Sequence, residues 1–456
     1  MKRLLPLICL AYLMPQSVGG QEIYGSWKGA LSLGMTKLSI VFHIEKDGGN
    51  TVCKMDSPDQ GATGIAAQVD YISTDSLKVS VPSLGVIYSG HLDNGTIKGV
   101  FSQAGYNFPL SLKQGTVKLN RPQEPVPPYP YTTKEVTFTN NGDGATLSGT
   151  LTYPTGYDKE KRRKDIPVVL MVTGSGLQDR NEEVFGHKPF LVIADFLARN
   201  GIASLRYDDR GFGKSTGNAE KATTMTFKDD AKAGLEYLRS LKEFGRTGVL
   251  GHSEGGTIAF ILGAEGKADF IVSMAGAAVR GDLILVEQNR AALSLAGMPE
   301  DAVNAYCQTL GKVYEYMNSG KALDAPEKVL QQIQEANGIS LPEAARKNIL
   351  SIMTKDNAWM NHFISYSPAE DIKRITCPVL AINGDLDMQV LSKQNLPVIG
   401  SLLPKGKHNT VKEYHGLNHP FQHAKTGAVM EYGKLEETIA EEVLRDIADW
   451  INSLYK

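Results

Sequence analysis

The sequence has almost no excess of charge of either sign. Its 456 residues include 48 Lys and Arg and 50 Asp and Glu, which leaves a formal net charge of −2 at pH 7. Nucleic acid and anionic membrane surfaces attract proteins with an excess of positive charge, so the composition supports neither as a partner. The hydrophobic fraction of 42% and the charged fraction of 21% are those of a soluble globular protein. The length suffices for two or three domains.

Cysteine is equally scarce. Of the four cysteines, Cys9 lies in the apolar N-terminal segment, and Cys53, Cys307 and Cys377 are far apart with no C-x-x-C pair. Disulfide scaffolds and structural zinc sites need closely spaced sets of cysteines. We therefore expect neither, and predict three unpaired and mostly buried thiols, although a single bridge is compatible with the count.

Long apolar runs are missing beyond the N terminus. Lys2 and Arg3 precede an apolar segment at residues 4–14, and small residues follow at 17–20. This order is typical of a signal peptide cleaved before Gln21, and the apolar segment is too short for a membrane span. We predict an exported protein, periplasmic or secreted, with no membrane span after cleavage; the alternative is an uncleaved anchor.

The next hundred residues, 21–120, are predicted to form an all-β domain. Short alternating runs recur between Gly, Asn and Asp, and no helical period is evident. A small antiparallel sandwich or half-barrel fits this pattern, with strands at 38–44, 76–81, 86–92 and 96–101. Residues 121–133 contain five prolines, which disfavour helix and sheet, and are read as a linker between domains.

From residue 134 to residue 456 the pattern changes to α/β. A hairpin at 134–153 is followed by continuous apolar runs that alternate with amphipathic helices, which predicts a parallel sheet covered on both faces. The strands are predicted at 168–172, 203–207, 247–250, 271–274, 379–382 and 411–414, and the helices at 188–200, 226–242, 254–263, 393–403 and 435–454. Residues 277–375 have helical composition and no clear strand, and are predicted to form a helical cap over the carboxyl edge of the sheet.

The stretch at 251–256, Gly-His-Ser-Glu-Gly-Gly, matches the G-x-S-x-G pattern. It lies between a short apolar run and a helical one, which is the strand–turn–helix setting of a nucleophile elbow. Glycine allows the backbone to turn sharply there. Ser253 is therefore the candidate nucleophile; the alternative is an ordinary N-cap serine on a glycine-rich helix.

A serine nucleophile needs a base, and the base needs a group that orients it. His419 lies in a glycine-bearing loop after the last predicted strand, and is the candidate base; His415 and His423 are alternatives. The loop after the strand at 379–382 offers Asp387 as the orienting carboxylate, with Asp385 as the alternative. His252 adjoins the serine, but side chains at adjacent positions point apart, so a structural role is expected for it.

Backbone N–H groups could stabilise the oxyanion of an acyl-transfer reaction. The loop 173–176 follows the first long apolar strand, and we expect the N–H of Ser175 to act together with that of Glu254, the residue after the nucleophile. A plain glycine turn is the alternative reading. Residues 208–215 lack phosphate-loop spacing, and are read as a turn in which Arg210 pairs with a carboxylate. Residues 179–181 are read as either lining the site entrance or forming a solvated loop.

These motifs resemble those of the α/β-hydrolase superfamily over residues 134–456. The order Ser253, Asp387, His419, the elbow at 251–256 and the loops at 207–215 and 384–387 carry the resemblance. Within the superfamily the chain looks like secreted bacterial carboxylesterases with an N-terminal β domain, and also like serine aminopeptidase-like hydrolases. The residues around His419 support that subgroup. The resemblance implies an eight-stranded, mostly parallel sheet and neither a metal ion nor an organic cofactor. Thr173-Gly174 stands where many members have His-Gly, which departs from the family pattern at the oxyanion loop.

Three functions follow as hypotheses. The first is hydrolysis of a small-molecule carboxylic ester through an acyl-Ser253 intermediate. The second is a serine exopeptidase, in which cap carboxylates would hold the substrate's amino terminus; Glu300, Glu315, Glu335 and Glu343 are available. The third is a non-catalytic binding protein in which the β domain is the functional part. For the β domain, substrate binding, homodimer formation and support of the cap are all compatible with the sequence.

Overall fold

The computed structural model describes residues 23–33, 36–117, 119–158, 165–321, 323–353 and 357–455. The chain divides between residues 118 and 119 into two compact units. The predicted signal peptide, residues 1–20, lies outside the described residues. Within the described ranges, no helix has both the length and the apolar character needed to cross a membrane.

The first unit is a closed antiparallel barrel. Each strand pairs with the next in sequence, and the last pairs with the first, where Trp27 lies opposite Gln114. Short 3-10 turns at Pro58–Gln60 and Pro82–Leu84 follow two of the strands. The strands are β1 (Gly25–Leu33), β2 (Thr36–Asp47), β3 (Asn50–Ser57), β4 (Ala62–Ile72), β5 (Ser76–Val81), β6 (Val86–Asp93), β7 (Thr96–Gln103) and β8 (Tyr106–Gln114).

Alternate residues of these strands fill the barrel. Trp27, Phe42 and Tyr88 are fully buried, and the Trp27 indole N–H donates to the carbonyl of Ile23 at 2.6 Å. The prediction of an antiparallel β domain is confirmed, but a sandwich or half-barrel was wrong. Pairing of β1 with β8 closes the sheet and removes its edges, and this pairing of distant segments leaves no local pattern.

The second unit is built on an eight-stranded sheet in the order β16-β15-β14-β13-β11-β12-β10-β9. Strands β11 to β16 run parallel to one another, while β9 and β10 form an antiparallel hairpin at one edge. The strands are β9 (Thr133–Thr139), β10 (Thr146–Thr152), β11 (Val168–Val172), β12 (Ala203–Tyr207), β13 (Thr247–His252), β14 (Ile271–Met274), β15 (Val379–Gly384) and β16 (Thr410–Tyr414).

Helices cover both faces of this sheet. On strand β11, Val168, Leu170 and Val172 join one apolar cluster, whereas Val169 and Met171 join the other. The first cluster includes residues of α2 (Thr224–Leu241), α3 (Glu254–Ala264) and α10 (Ser392–Leu402), and the second includes residues of α1 (Pro189–Arg199) and α12 (Glu441–Ser453). The last helix was predicted to start at residue 435, but it begins at Glu441, because Ala440 is extended (φ −59°, ψ 134°); a short α11 (Val429–Tyr432) precedes it.

The described residues between β14 and β15 form helices joined by loops, with no strand, and have an apolar core of their own around Leu310, Tyr314 and Ile349. The helices are α4 (Gly281–Leu295), α5 (Glu300–Asn318), α6 (Pro326–Asn337), α7 (Glu343–Ile352), α8 (Ala358–Ser365) and α9 (Ala369–Ile372). We call this segment the cap.

The proline-rich residues 121–132 form neither helix nor strand, and β9 begins at Thr133. They are nevertheless bound to the second unit. Besides the carbonyl of its neighbour Asn120, the Arg121 guanidinium donates hydrogen bonds of 2.9–3.1 Å to four distant backbone carbonyls, those of Phe185, Gly186, Gly433 and Leu435. This part of the chain is therefore a strap on the second unit.

Candidate active site

Ser253 lies between the end of β13 and the start of α3 with φ 55° and ψ −118°. A positive φ is strained for a residue with a side chain, and such strain is often found at functional sites. The Ser253 N–H donates to the carbonyl of Met274 at 2.8 Å, which fixes the turn to the neighbouring strand. The serine is half-buried.

The glycines around Ser253 are required by close backbone contacts. A β-carbon at Gly251 would lie 1.9 Å from the carbonyl oxygen of Gly255, and one at Gly255 would lie 2.0 Å from that of Val172. A β-carbon at Gly256 would lie 2.8 Å from the α-carbon of Gly276. The turn can therefore form only with glycine at these positions, which explains the G-x-S-x-G-G pattern physically.

His419 and Asp387 lie in hydrogen-bond contact. The His419 Nδ1 is 2.7 Å from Asp387 Oδ2, and the two residues are 4% and 3% exposed. The other carboxylate oxygen accepts the backbone N–H groups of Gln389 and Val390 at 2.7 and 2.9 Å. Because Nδ1 faces a carboxylate, the proton belongs on Nδ1 and the lone pair on Nε2, which is the tautomer of a general base.

The alternatives to Asp387 and His419 as acid and base form hydrogen bonds with other partners. Asp385 bonds to the exposed His415, with 2.6 Å between Oδ2 and Nδ1, and also accepts the N–H of Gly416. His423 bonds to Glu437 at 2.9 Å. Both pairs lie at the surface, which leaves Asp387 and His419 as the buried pair.

Ser253 and His419 line the same cavity, whose volume is about 330 Å³. Most of its wall is apolar. The cap contributes residues from α4 and α8, and the loop after β11 and helix α1 contribute the opposite side; the apolar lining includes Val184, Phe185, Phe190, Ile193, Ile284, Leu285, Trp359 and Phe363. A mostly apolar cavity with a few polar groups is typical of small-molecule sites.

The loop at 173–176 lies against the nucleophile, because a β-carbon at Gly174 would lie 3.2 Å from that of Ser253. The Gly174 N–H is already donated to Glu182 at 2.7 Å, so it does not serve an oxyanion. Ser175 and Glu254 both line the cavity. Glu254 is the first residue of α3, and the first N–H groups of a helix have no acceptor within it. Thr173 donates its hydroxyl to Asp209, which gives it a structural role.

Two residues at the site were missed from the sequence. Glu182 is 4% exposed, and its Oε1 lies 3.0 Å from Nδ1 of His252. Trp359 of α8 donates its indole N–H to the Glu254 carboxylate at 2.9 Å. Glu182 stands in a polar stretch with several other charged residues, and no local pattern marks it as the buried one. The cap's tertiary packing likewise brings Trp359 to the site.

Two titratable groups near the nucleophile, His252 and Asp209, have pKa values shifted from their ordinary ones. Burial lowers the pKa of His252, but the charge and hydrogen bond of Glu182, the hydrogen bond to the His419 carbonyl and the charge of Asp387 together outweigh burial, and the pKa is raised. Burial raises the pKa of Asp209 to about 7, and the neighbouring Glu182 and Glu254 carboxylates act in the same direction, against the hydrogen bonds from Gln178 and Thr173.

The predictions for the loops at 208–215 and 179–181 have opposite outcomes. Arg210 pairs with the buried Asp230 at 2.6 Å, as predicted for a structural turn. Residues 179–181 were predicted either to line the site entrance or to be solvated, and both were wrong for Arg180. Its side chain is 15% exposed and is held by Asp208 and Glu135, at 2.7 and 2.6 Å. These ion pairs fix the loop to the sheet.

The four cap glutamates proposed to hold an amino terminus do not reach the site. Glu300, Glu315, Glu335 and Glu343 are exposed residues of α5, α6 and α7, and the cavity lining does not include them. The carboxylates that do line the cavity, Glu182 and Glu254, already accept hydrogen bonds from the protein.

The α/β-hydrolases share three features: a serine at such a turn, a sheet with this strand order, and a helical insertion before the strand that leads to the acidic residue. The second unit has all three and therefore has the α/β-hydrolase fold. Residues 188–331 match the family described as serine aminopeptidase, S33. Esterase EstD of Thermotoga maritima is 26% identical over 346 residues, which cover 75% of this chain and 73% of that protein.

The solved structures that the chain matches include two esterases. The Pyrococcus furiosus esterase Pf2001 is 17% identical with a TM-score of 0.42, over 75% of this chain and all of that one. Est1E of Butyrivibrio proteoclasticus, solved with ferulic acid, is 15% identical with a TM-score of 0.39, over 70% of this chain and 97% of that one. A proline iminopeptidase of Mycobacterium smegmatis is 14% identical with a TM-score of 0.41, over 71% and 98%.

Proposed function

We propose that the protein is a carboxylic-ester hydrolase that acts through an acyl-Ser253 intermediate. The observation that carries the proposal is the strained serine on the wall of an apolar cavity that His419 also lines, with Asp387 bonded to the far side of that imidazole. The esterase name of the Thermotoga maritima relative supports the same class of reaction.

In this mechanism His419 Nε2 takes the Ser253 proton while Oγ attacks the ester carbonyl carbon. The N–H groups of Ser175 and Glu254 stabilise the oxyanion of the tetrahedral intermediate. His419 then gives its proton to the alkoxide leaving group, and the alcohol departs. A water molecule, deprotonated by His419, then attacks the acyl carbon. The bond from that carbon to Ser253 Oγ breaks, His419 returns the proton to Oγ, and the acid is released.

The carboxylates favour an ester over a peptide with a free amino terminus. An exopeptidase of that kind needs an unpaired carboxylate in the cavity to bind the substrate ammonium. Glu254 accepts hydrogen bonds from Thr224 at 2.6 Å and from Trp359, and Glu182 adjoins His252. Because both carboxylates already have partners, we propose an uncharged substrate whose acyl or alcohol group is small enough for about 330 Å³.

The proposal predicts release of p-nitrophenol from short acyl esters by the purified protein. Ser253→Ala should lower kcat by a factor of about 10⁴–10⁶, since the nucleophile is lost while the fold is kept. A fluorophosphonate probe should label the natural protein at Ser253. Esterase activity retained by Ser253→Ala would contradict the assignment, and absence of both activity and labelling would favour a binding protein. Faster hydrolysis of aminoacyl-p-nitroanilides than of esters would favour the exopeptidase.

The barrel offers a matched control for this measurement. Ser26 Oγ lies 2.8 Å from Nδ1 of His43, whose Nε2 lies 2.7 Å from Asp56, so the barrel contains a hydrogen-bonded row of the same three residue types. Ser26 faces away from the barrel core, because its neighbour Trp27 points inward. Ser26→Ala should leave esterase activity unchanged, and equal losses in both variants would contradict the choice of Ser253.

We also propose that the protein is exported and that residues 1–20 are removed. The charged start and the apolar segment at 4–14 support this proposal. N-terminal sequencing of the protein from a bacterial periplasm or medium should begin at Gln21, and a cytoplasmic protein that begins at Met1 would contradict it.

A further inference from the structure

His252 is held between two hydrogen-bond acceptors. Its Nδ1 lies 3.0 Å from Glu182 Oε1, and its Nε2 lies 3.0 Å from the backbone carbonyl oxygen of His419. A neutral imidazole has one N–H and one lone pair, so one of these contacts would set a nitrogen lone pair against an oxygen lone pair. Both contacts are satisfied only when both nitrogens carry a proton. The surroundings of His252 therefore fit an imidazolium cation.

Glu182 supplies the balancing charge and a third connection. Its Oε1 accepts the N–H of Gly174 at 2.7 Å in addition to the contact with His252, and its side chain is 5% exposed. Gly174 belongs to the loop that faces Ser253, and His252 directly precedes Ser253. A single buried pair thus joins the proposed oxyanion loop, the turn that carries the nucleophile and the loop that carries His419.

We infer that His252 is a positioning residue that works as an imidazolium ion paired with Glu182, and that its proton is required to hold the His419 loop and the 173–176 loop against Ser253. This inference rests on the proposed function for its effect on catalysis. The protonation state itself can be measured in a protein that catalyses nothing.

Three ionisable groups face His252 from the surrounding loops. Glu182 comes from the loop after β11, and Asp387 comes from the loop after β15. The His419 ring is the third, with 4.6 Å between the ring centroids. Burial lowers the pKa of His252, and the Glu182 and Asp387 charges together with the hydrogen bonds raise it by more. The upward net shift agrees with the two acceptor contacts, which require a proton on each nitrogen, and the second proton is lost as the pH rises through the raised pKa. Activity should therefore decline on the alkaline side.

The first experiment measures the proton directly. The Ser253→Ala protein is labelled with ¹⁵N-histidine, and the His252 signals are identified by their loss in Ser253→Ala/His252→Gln. We expect both His252 nitrogens to have the chemical shifts of protonated nitrogens at pH 7. A signal from an unprotonated His252 nitrogen at pH 7 would overturn the inference whether or not the protein is an esterase.

The second experiment tests the effect on catalysis through the pH dependence of kcat/KM, which reports groups of the free enzyme. In Glu182→Gln the alkaline decline should move down by about 1–3 pH units, because an adjoining opposite charge shifts a pKa by that amount. In Glu182→Asp, which keeps the charge, the decline should remain near its natural position.

Glu437→Gln is the matched control, because it removes the carboxylate of the surface pair with His423. It should leave the pH profile unchanged. If Glu182→Gln lowers kcat/KM by the same factor at every pH, the pair has only a structural role and the inference fails. If Glu182→Gln does not fold, the comparison of Glu182→Asp with His252→Gln decides, since only His252→Gln should abolish the alkaline decline.

Discussion

At the scale of single residues, the site depends on polar side chains that are buried and almost completely paired. Asp387 uses one carboxylate oxygen for His419 and the other for two backbone N–H groups. Such pairing matters because an unsatisfied buried polar group costs about 1–3 kcal/mol. The side chains that could act on a substrate are therefore held in one arrangement before the substrate binds.

His187 gives a prediction at this scale. It is 2% exposed, with Nδ1 at 2.9 Å from the Thr438 hydroxyl and Nε2 at 3.0 Å from the carbonyl of Tyr432. Burial, aided by the positive charge of Arg121, lowers the pKa of His187 to about 4 from 6.5. Between these two pH values the unfolded chain binds more protons than the folded chain, so this residue makes the folded state less stable as the pH falls.

We expect the free energy of unfolding to drop by about 2–3 kcal/mol between pH 7 and pH 4.5 through His187 alone. Urea titrations at the two pH values should show a smaller drop for His187→Gln than for the natural protein. His91→Gln, at an exposed histidine of β6, should keep the full drop. An equal drop in all three proteins would contradict a buried neutral His187.

At the scale of elements, the cap is tied to the nucleophile helix by a side-chain hydrogen bond. Trp359 on α8 donates to Glu254, the first residue of α3, and also stacks on Phe363 with 5.0 Å between ring centroids. Both aromatic residues line the cavity. The residue whose N–H would face the oxyanion therefore also holds the cavity wall through its side chain.

Trp359→Phe keeps an aromatic ring and removes the indole N–H. Because a hydrogen bond to a charged group contributes about 1.5–3 kcal/mol, kcat/KM for esters should fall by about ten- to a hundredfold. Trp450→Phe on α12 is the control, since the Trp450 indole N–H donates to the neutral carbonyl of His408, and this variant should change kcat/KM by less than about threefold. Full activity in Trp359→Phe would show that the contact does not position the cap.

The elements differ in how well the sequence predicts them. Strand β11 was predicted with its observed bounds, because a parallel strand buried on both faces is a continuous apolar run between turn residues. Strand β4 was missed, since its side chains are all half-buried or exposed and alternate weakly. At the site, the elbow was recognisable because sterics restrict its residue types. Glu182 and Trp359 were not, because loop and cap packing, which bring them to the cavity, leave no local signature.

At the scale of the whole molecule, each unit has an apolar core of its own. The barrel core contains residues 23–112, and the cores on the two faces of the sheet contain residues from 136 onward. The strap at 121–132 belongs to the second unit through Arg121 and through Gln123, whose side-chain oxygen accepts the N–H of Thr438 at 2.6 Å. The structural boundary therefore precedes the proline-rich residues.

This boundary predicts different results for two truncations. A chain that begins at Leu119 retains the strap, and should fold cooperatively and keep kcat/KM for esters within about threefold, because neither core nor the cavity lining is cut. A chain that begins at Lys134 loses both anchors and leaves the carbonyls of Phe185, Gly186, Gly433 and Leu435 without their donor. A buried polar group left unpaired costs about 1–3 kcal/mol, so the melting temperature of this chain should be roughly 10 °C lower than that of the chain that begins at Leu119.

Arg121→Ala in the full chain distinguishes the contribution of the strap from the contribution of the barrel, because it removes the strap's main hydrogen bonds and leaves the barrel in place. It should reproduce much of the loss seen on truncation to Lys134, and kcat/KM should fall as well, because the Phe185 carbonyl that Arg121 holds belongs to a residue of the cavity wall. Circular dichroism melting curves and ester hydrolysis measure the two effects. If the chain from Leu119 is unfolded while the full chain is active, the hydrolase unit needs the barrel for its stability, contrary to the first expectation. If the chain from Lys134 is as stable as the chain from Leu119, the hydrogen bonds of the strap contribute no net stability, contrary to the second.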